Sequence, residues 1–351
     1  MNRGKGSVLV TGGTGYIGSH TVVELQTQGY DVVIADNFSN SRPAVAVAIG
    51  EITGRTPVVV RADITIREEV EDIFARFNDI TAVIHFAALK AVGESVREPL
   101  LYYRNNVGGL ATLLDAMLNH GVYSLVFSSS CTVYGEPQRL PVTEEHKTAN
   151  PSSPYGNTKK MCEEIIADTV RAEKGKLRSV ILRYFNPIGA HPSAIIGEDP
   201  VGTPENLVPY ITRAASGKTG PLHIFGNDYD TGDGSCIRDY LYVMDLAEAH
   251  VAALKRMQQG GMNKGCEYYN LGTGSGVSVF EAVEAFERAT GVTVPRVIAG
   301  RREGDIEKIW ADCSRANREL GWRAGTSLDE AMLTAWRWEE RHPPATGNDD
   351  C

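Results

Sequence analysis

Short runs of apolar residues recur along the first half of the chain, and most of them are rich in β-branched side chains. Continuous apolar runs of this length are typical of strands that are buried on both faces of a parallel sheet. The runs occupy residues 8–10, 32–34, 58–60, 82–84, 125–127 and 180–182.

Amphipathic stretches separate these apolar runs. Within residues 67–77, Val70, Ile73 and Phe74 fall on one face of a helix. Similar stretches at 16–28, 96–119 and 157–174 predict further helices. The alternation of strand and helix predicts an α/β fold, a doubly wound parallel sheet of the Rossmann type. By itself the alternation leaves a (β/α)8 barrel open as the alternative.

The pattern changes near residue 186, where proline and glycine become frequent. We expect a first domain over 1–185 and a smaller C-terminal α/β lobe over 186–345 that binds the substrate. A helix at 244–258 and a strand at 268–271 indicate that 239–275 returns to the first domain. A last helix is predicted at 327–341, followed by a disordered tail at 343–351.

Charge and composition argue against several classes of function. With 35 Lys and Arg against 44 Asp and Glu, the net charge of −9 makes a nucleic-acid partner unlikely. No run of about 18 apolar residues predicts a membrane span. The six cysteines include no CxxC pair and no zinc-like cluster, so we expect no metal site. Without an apolar leader before residue 7, we expect a cytoplasmic protein with reduced thiols.

A glycine-rich turn follows the first apolar run. Residues 8–20 read VLVTGGTGYIGSH, which places Gly12, Gly15 and Gly18 between a strand and a helix. Such glycines let a pyrophosphate approach the backbone at the helix N-terminus. Asp36 ends the second predicted strand, which reads DVVIAD at 31–36, and a carboxylate there accepts from the adenosine ribose hydroxyls and repels a 2′-phosphate. This arrangement predicts NAD rather than NADP as cofactor and disfavours the barrel.

A Tyr-x-x-x-Lys sequence provides candidate acid–base chemistry. On a helix, Tyr155 and Lys159 share a face. A free tyrosine has a pKa of about 10, and a nearby ammonium together with a positive nicotinamide ring would favour the phenolate. Ser130 follows a predicted strand and can hydrogen-bond the same substrate oxygen. We therefore expect Ser130, Tyr155 and Lys159 to be catalytic.

Nine segments carry a resemblance to a known family. They are GGTGYIGSH at 12–20, DNFSNS at 36–41, HFAALKAVGESVREPL at 85–100, NNVGGLATLLDAM at 105–117, SSSCTVYG at 128–135, SPYGNTK at 153–159, LRYFNPIGAHPS at 182–193, GNDYDTGDGSCIRDYLYVMDLAEAH at 226–250 and RREGD at 301–305. In this order they resemble the UDP-galactose 4-epimerases of the extended short-chain dehydrogenase/reductase family along essentially the whole chain. The resemblance implies tightly held NAD, UDP-glucose and UDP-galactose as substrates, and a homodimer.

The resemblance also implies a set of site residues. Together with the glycines of the turn, the expected NAD contacts are Gly12, Gly15, Tyr16, Ile17, Gly18, Asp36, Asn37, Phe38, Ser39, Asn40, Ser41, Asp63, Ile64, Phe86, Ala87, Ala88, Leu89, Lys90, Asn105, Tyr155, Lys159 and Phe185. The expected substrate contacts are Lys90, Ser130, Tyr155, Asn186, Asn206, Leu207, His223, Ile224, Phe225, Arg238, Arg302, Asp305 and Ile309.

The chemistry of these side chains is consistent with a UDP-sugar. Arg238 and Arg302 can each offer a planar fork of donors to phosphate oxygens, which an acidic chain needs locally. Phe225 can pack beside uracil, and Asp305 can accept from ribose hydroxyls.

The expected reaction is transient oxidation at C4 of the sugar. Tyr155 takes the proton of the 4-hydroxyl while the hydride passes to NAD; the 4-keto sugar turns over, and the hydride returns to its other face. A 4,6-dehydratase would need carboxylates where this chain has Cys131 and Thr132, and a UDP-glucuronate decarboxylase usually has Glu in place of Thr132. The alternatives are an epimerase of another UDP-sugar, a dehydrogenase that releases NADH, and a non-catalytic NAD sensor.

The range of UDP-sugars that the protein accepts is expected to depend on Ile309. The resemblance places this position near the sugar C2 substituent, where tyrosine accompanies strict forms and small residues accompany forms that accept N-acetylated sugars. Isoleucine is smaller than tyrosine but stiff, so we expect slow turnover of UDP-N-acetylglucosamine. Ala88, Arg104 and Cys131 replace a glycine, an acid and an alanine that are common in the family, and none of these changes removes a catalytic group.

Overall fold

The computed structural model describes residues 6–148, 151–200, 202, 204, 206–302 and 304–342. In this part of the chain the strands are β1 (Ser7–Thr11), β2 (Asp31–Asp36), β3 (Val58–Arg61), β4 (Ile80–His85), β5 (Ser124–Ser130), β6 (Arg178–Tyr184), β7 (Asn186–Ile188), β8 (Leu222–Phe225), β9 (Ile237–Arg238), β10 (Tyr240–Tyr242), β11 (Cys266–Leu271), β12 (Val277–Ser278) and β13 (Arg296–Ala299).

Seven of these strands form one parallel sheet in the order β11-β6-β5-β4-β1-β2-β3. The open sheet confirms the doubly wound fold and excludes the barrel. The winding reverses between β1 and β4. In sheets of this kind, ligands bind outside the carboxyl ends of the strands at this reversal.

Helices cover both faces of the sheet. They are α1 (Tyr16–Thr27), α2 (Ala44–Thr53), α3 (Arg67–Arg76), α4 (Val92–Arg97), α5 (Pro99–Tyr102), α6 (Gly109–Asn119), α7 (Pro154–Ala172), α8 (Leu207–Ala215), α9 (Val243–Gln258), α10 (Val279–Thr290), α11 (Ser314–Glu319) and α12 (Leu328–Arg341). No helix of the described residues is long and apolar enough to cross a membrane.

The helix predicted over 96–119 is interrupted at Glu98, whereas the chain stays helical from Pro99 to Asn119. Helix α4 ends at Arg97, the short α5 starts at Pro99, and a π-helical turn at Tyr103–Gly108 precedes α6. Proline favours the first turn of a new helix because it lacks an amide hydrogen. The helix predicted at 157–174 instead starts at Pro154, because Ser153 caps it by accepting a 3.2 Å hydrogen bond from the Gly156 amide.

Alternate residues of the strands face two separate cores. Val8 and Val10 of β1 pack in one cluster with α1 and α9, whereas Leu9 packs in another with α3, α6 and α7. This explains why the strands read as unbroken apolar runs. Strand β11 lies at the edge of the sheet beside β6, and α9 packs against α1.

A third cluster unites α8, α10 and α12 with the strand pair β8–β13. The α12 helix agrees with the helix predicted at 327–341. The predicted tail at 343–351 lies outside the described residues. The domain boundary at residue 185 stays a prediction.

Candidate functional site

The glycine turn lies between β1 and α1, at the reversal of the sheet. Gly12 has φ of +70°, and a Cβ added there would lie 2.7 Å from the Ala87 amide nitrogen. A Cβ on Gly18 would lie 2.2 Å from the Gly12 carbonyl oxygen. Gly15 is the N-cap of α1 and has no side chain that could cap the helix. The turn therefore needs its glycines, and the first amides of α1 suit an anion.

Asp36 connects this turn to the loop that follows β2. Its Oδ2 accepts from the amide and hydroxyl of Thr14 at 3.1 and 2.6 Å. Its Oδ1 accepts from the Phe38 amide and the Ser41 hydroxyl, both at 3.0 Å. The sequence assigned Asp36 to a ribose; the structure shows that the same carboxylate also builds the loop that surrounds this position.

The expected NAD contacts Asp63 and Ile64 lie just after the neighbouring strand β3. Asn37 donates to Asp63 Oδ2 at 3.0 Å, and the Thr65 amide and hydroxyl donate to Asp63 Oδ1 at 2.8 and 2.7 Å. Burial raises the pKa of Asp63, but these hydrogen bonds outweigh it and leave the pKa below its ordinary value. Ile64 is buried against the position of Gly109.

Asn106 is a site-building residue that sequence reasoning missed, although its neighbour Asn105 was expected. Its Oδ1 accepts from the Leu89 amide at 2.9 Å, and its Nδ2 donates to the Leu89 carbonyl and the Thr158 hydroxyl, both at 3.0 Å. It therefore holds the segment after β4 against α7. Asn106 lies in the π-helical turn Tyr103–Gly108, and no regular spacing of residues in the sequence predicts this turn.

The expected catalytic residues converge at the carboxyl end of β5. Ser130 ends β5, and Tyr155 and Lys159 lie on the first turns of α7; all three are buried. Ser130 accepts from the amide and hydroxyl of Thr132 at 3.2 and 3.0 Å and hydrogen-bonds the Tyr155 side chain.

The protein's own groups alone do not favour the Tyr155 phenolate, which the sequence predicts only in the presence of a positive nicotinamide ring. Burial raises the pKa of Tyr155 well above its ordinary value, the nearby Tyr184 raises it further, and the hydrogen bond with Ser130 offsets this only in part. Additional positive charge is therefore needed beside the hydroxyl before Tyr155 can act as a base near neutral pH.

Lys159 is held against β5. Its Nζ donates to the Ser128 carbonyl at 2.8 Å and lies 5.0 Å from the centroid of the Phe127 ring. Burial lowers the pKa of Lys159 to about 8, although Cys162 and Glu163 oppose the shift. The ammonium thus stays predominantly protonated at pH 7, on the same helix face as Tyr155.

A second group of expected residues lies on β8, on β9 and in the segment that follows β13. Arg302 donates to Asp305 Oδ1 at 2.7 and 3.2 Å, and its guanidinium carbon lies 5.5 Å from the centroid of the Phe225 ring. Arg238 lies on β9, where its Nη1 donates to the Ile237 carbonyl at 2.9 Å.

The remaining expected substrate contacts occupy strand and helix ends. Asn186 starts β7, and Leu207 starts α8 directly after Asn206. His223 is exposed on β8, whereas the Ile224 side chain is buried in the third cluster, so Ile224 offers only its backbone. Phe185 and Ile309 pack in one small apolar cluster with Val133 and Tyr134 beside Cys131.

Asp239 is a further residue that the sequence did not single out. It is fully buried and accepts from the amides of Thr273, Gly274 and Ala311 at 2.8, 3.1 and 3.2 Å. Burial raises its pKa, against the effect of these hydrogen bonds. Because it follows Arg238 directly and binds the Ala311 amide, it fixes this arginine relative to the segment that carries Ile309.

The part of the chain that the structure describes contains no group of three or more His, Cys, Asp or Glu that could hold a metal ion.

Comparison with known proteins agrees with this arrangement. Residues 8–272 match the NAD dependent epimerase/dehydratase family. The UDP-glucose 4-epimerase of Haemophilus influenzae is 49% identical over 337 residues, which cover 96% of this chain and 98% of that protein.

Two solved structures are also similar. A UDP-glucose 4-epimerase from Stenotrophomonas maltophila, with bound NAD and formylated UDP-arabinopyranose, has a TM-score of 0.92 and 48% identity and covers 96% of this chain and 98% of its own. The enzyme from Bifidobacterium longum, in complex with NAD+ and UDP, has a TM-score of 0.91 and 45% identity and covers 96% of this chain and 99% of its own.

Proposed function

This chain belongs to the NAD dependent epimerase/dehydratase family, and we propose that it interconverts UDP-galactose and UDP-glucose at C4 of the sugar. The observation that carries the proposal is the convergence of Ser130, Tyr155 and Lys159 beside the glycine turn. Similar enzymes of this specificity cover nearly the whole chain. The reaction needs a hydride acceptor but no external oxidant, since the hydride returns to the sugar.

The glycine turn fits NAD. A Cβ at Gly12 or Gly18 would collide with the backbone of Ala87 or Gly12, so these glycines permit the tight turn that brings α1 close to the end of β1, and Asp36 lies at the end of β2, where a ribose would bind. Residues 36–41, 63–64, 86–90, Asn105 and Phe185 complete the proposed set of contacts. When bound, NAD supplies a reversible hydride acceptor with a positively charged ring.

Three side chains handle the proton and the orientation of the sugar. Tyr155 Oη removes the proton of the 4-hydroxyl and later returns it. Ser130 hydrogen-bonds the same oxygen and aligns it with Tyr155. Lys159, fixed by the Ser128 carbonyl, adds positive charge on the Tyr155 side of the helix and can hold a cofactor ribose hydroxyl.

The opposite wall of the crevice is proposed to hold UDP while the keto sugar turns over. Arg238 and Arg302 supply forks of donors for the two phosphates. Phe225 packs beside uracil, and Asp305 accepts from the ribose. Asn186, Asn206, Leu207, His223 and Ile224 complete this proposed surface.

Ile309 is proposed to limit the size of the sugar. Its side chain is only 2% exposed and belongs to the same apolar cluster as Phe185. A branched side chain held in this way leaves less room for an acetamido group than a small residue would. We therefore propose that UDP-N-acetylhexosamines are slow secondary substrates.

The proposal extends to a homodimer. Val96, Leu100 and Leu101 on α4 and α5 are 61%, 66% and 46% exposed, next to α7. Neighbouring apolar side chains of this size suit an interface between two copies. A cytoplasmic location is proposed as well, because buried free thiols such as those of Cys162 and Cys313 suit a reducing compartment.

The test uses purified protein with UDP-galactose and no added NAD. Formation of UDP-glucose, without NADH in the bulk solution, is the expected result. An active nucleotide-sugar dehydratase would instead yield a 4-keto-6-deoxy product, and a sensor would bind NAD without turnover. Either of these outcomes would overturn the proposed epimerisation.

A further inference from the structure

Two consecutive carboxylates, those of Glu198 and Asp199, contact both the segments expected to bind NAD and the region around α8. The proposed chemistry uses neither of them. The Glu198 side chain is only 8% exposed, whereas that of Asp199 is 45% exposed. Because Glu198 is the more buried of the two, we ask first which groups its carboxylate contacts.

Glu198 brings together two residues from opposite sides of the crevice. The same oxygen, Oε1, lies 3.4 Å from Lys90 Nζ and accepts from Asn206 Nδ2 at 2.7 Å. Lys90 follows β4 on the cofactor side, and Asn206 is the N-cap of α8 on the substrate side. One carboxylate oxygen thereby sets the separation of two groups that are proposed to bind ligand.

Asp199 repeats the same arrangement one residue later. Arg42, just after the Asp36–Ser41 loop, lies 3.2 Å from Asp199 Oδ2, and Arg213 on α8 lies 3.4 Å from Oδ1. Each carboxylate thus has one partner on the cofactor side and one near α8. Two such pairs in a row connect the two walls more firmly than a single exposed ion pair would.

Core packing determines where Glu198 lies. Trp338 donates from its indole Nε1 to the Glu198 carbonyl at 3.3 Å. A Cβ on the neighbouring Gly197 would lie 2.5 Å from the Trp338 ring, so the backbone here fits closely against α12. Lys90 is 46% exposed by contrast. Glu198 is therefore the fixed partner, and the lysine is the group that is being held.

We propose that Glu198 is a positioning residue for nucleotide-sugar binding, which holds the Lys90 ammonium and the Asn206 amide at the separation that the bound molecule needs. The inference rests on the proposed function, in which Asn206 contacts the UDP-sugar and Lys90 is an expected contact of both NAD and the substrate. A free lysine side chain samples many rotamers, and fixing it in advance reduces the entropy lost on binding. We therefore expect Glu198 to affect the affinity for the nucleotide sugar rather than the rate of the hydride step.

The experiment compares Glu198→Ala and Glu198→Gln with the unaltered enzyme. The alanine variant loses both contacts, so KM for UDP-galactose should rise about fivefold while kcat changes less than about twofold. The glutamine variant keeps an oxygen that accepts from Asn206 but loses the charge beside Lys90. Its KM should therefore lie between that of the unaltered enzyme and that of Glu198→Ala. Asp329→Asn, which removes a carboxylate paired with Arg288 outside the crevice, is the matched control and should leave KM unchanged.

A double variant distinguishes a positioning role of Glu198 from a general loss of stability. In Lys90→Met enzyme, adding Glu198→Gln should change KM by less than about twofold, because the partner is already gone. Glu198 variants that match Asp329→Asn, or that lower kcat at unchanged KM, would overturn the inference. If the unaltered enzyme fails to convert UDP-galactose, the proposed function falls instead. Calorimetry with UDP then still decides the role of Glu198, since unchanged UDP affinity in both Glu198 variants contradicts it.

Discussion

At the scale of single residues, the hydroxyl of Tyr155 has the most demanding task in the proposed reaction. It must lose a proton to become a base, yet burial raises its pKa. The positive charge of Lys159 and of a bound nicotinamide ring would act against burial. Ionisation of Tyr155 is thus expected only in the assembled site.

Tyr155→Phe should retain the fold and bound NAD and lower kcat by about 10²–10⁴-fold, because only one hydroxyl is removed. The rate is measured with UDP-galactose, and NAD is measured after release from denatured protein. Tyr30→Phe is the matched control. The Tyr30 hydroxyl donates to Gln258 Oε1 at a distance of 2.9 Å and is not one of the expected site residues. Near-normal turnover of Tyr155→Phe would exclude Tyr155 as the base.

Ile309→Ala should raise kcat/KM for UDP-N-acetylglucosamine relative to UDP-glucose by about tenfold, because a buried branched side chain is replaced by space. Ile309→Tyr should lower the same ratio. Ile309→Val is the graded control and should fall between alanine and isoleucine. Competition assays with both sugars measure the ratio directly. If alanine and tyrosine leave it unchanged, another residue limits the sugar.

At the scale of elements, a buried ion pair attaches the catalytic helix to the sheet. Arg183 of β6 donates to Glu163 of α7 at 2.6, 2.9 and 3.2 Å, and Ser129 of β5 donates to the same carboxylate at 2.6 Å. Burial lowers the pKa of Arg183, but the hydrogen bonds and charge of Glu163 raise it above its ordinary value. The pair thus aligns α7 with the strand that ends in Ser130.

Removing one member should leave a buried charge without its partner. Arg183→Met is therefore expected to lower the free energy of unfolding by about 3–5 kcal/mol, measured by urea titration. The double variant Arg183→Met with Glu163→Gln should recover part of this loss. Asp329→Asn breaks a half-exposed pair and should cost less than about 1 kcal/mol. A loss of similar size in Arg183→Met and Asp329→Asn would show that the buried pair has no special role.

At the scale of the whole molecule, exposed apolar residues on α4 and α5 are expected to join two copies. Leu100→Glu should weaken the dimer at least about tenfold, because a charge would enter an apolar contact. Analytical ultracentrifugation measures the dissociation constant. Val47→Glu on α2, where Val47 is 58% exposed, is the matched control and should not change it. A monomeric unaltered protein, or equal effects of both variants, would contradict this interface.

The sequence by itself determined the features that depend on neighbours along the chain. Gly12 to Gly18, Tyr155 with Lys159, and the apolar strand runs were all found from spacing, because turn geometry and helix periodicity act over a few residues. The pattern does not reveal the break at Glu98 or the π turn within the helix predicted at 96–119, because the apolar positions continue through both.

Only the tertiary structure decided which distant side chains meet. Glu198 lies 108 positions after Lys90, and Asn106 lies 52 positions before Thr158, so no periodicity connects either pair. The pKa of Tyr155 likewise depends on how deeply the fold buries it. Local spacing specifies the chemical groups of the site, whereas burial and long-range contacts decide how these groups are held and charged, because both arise only when the chain has folded.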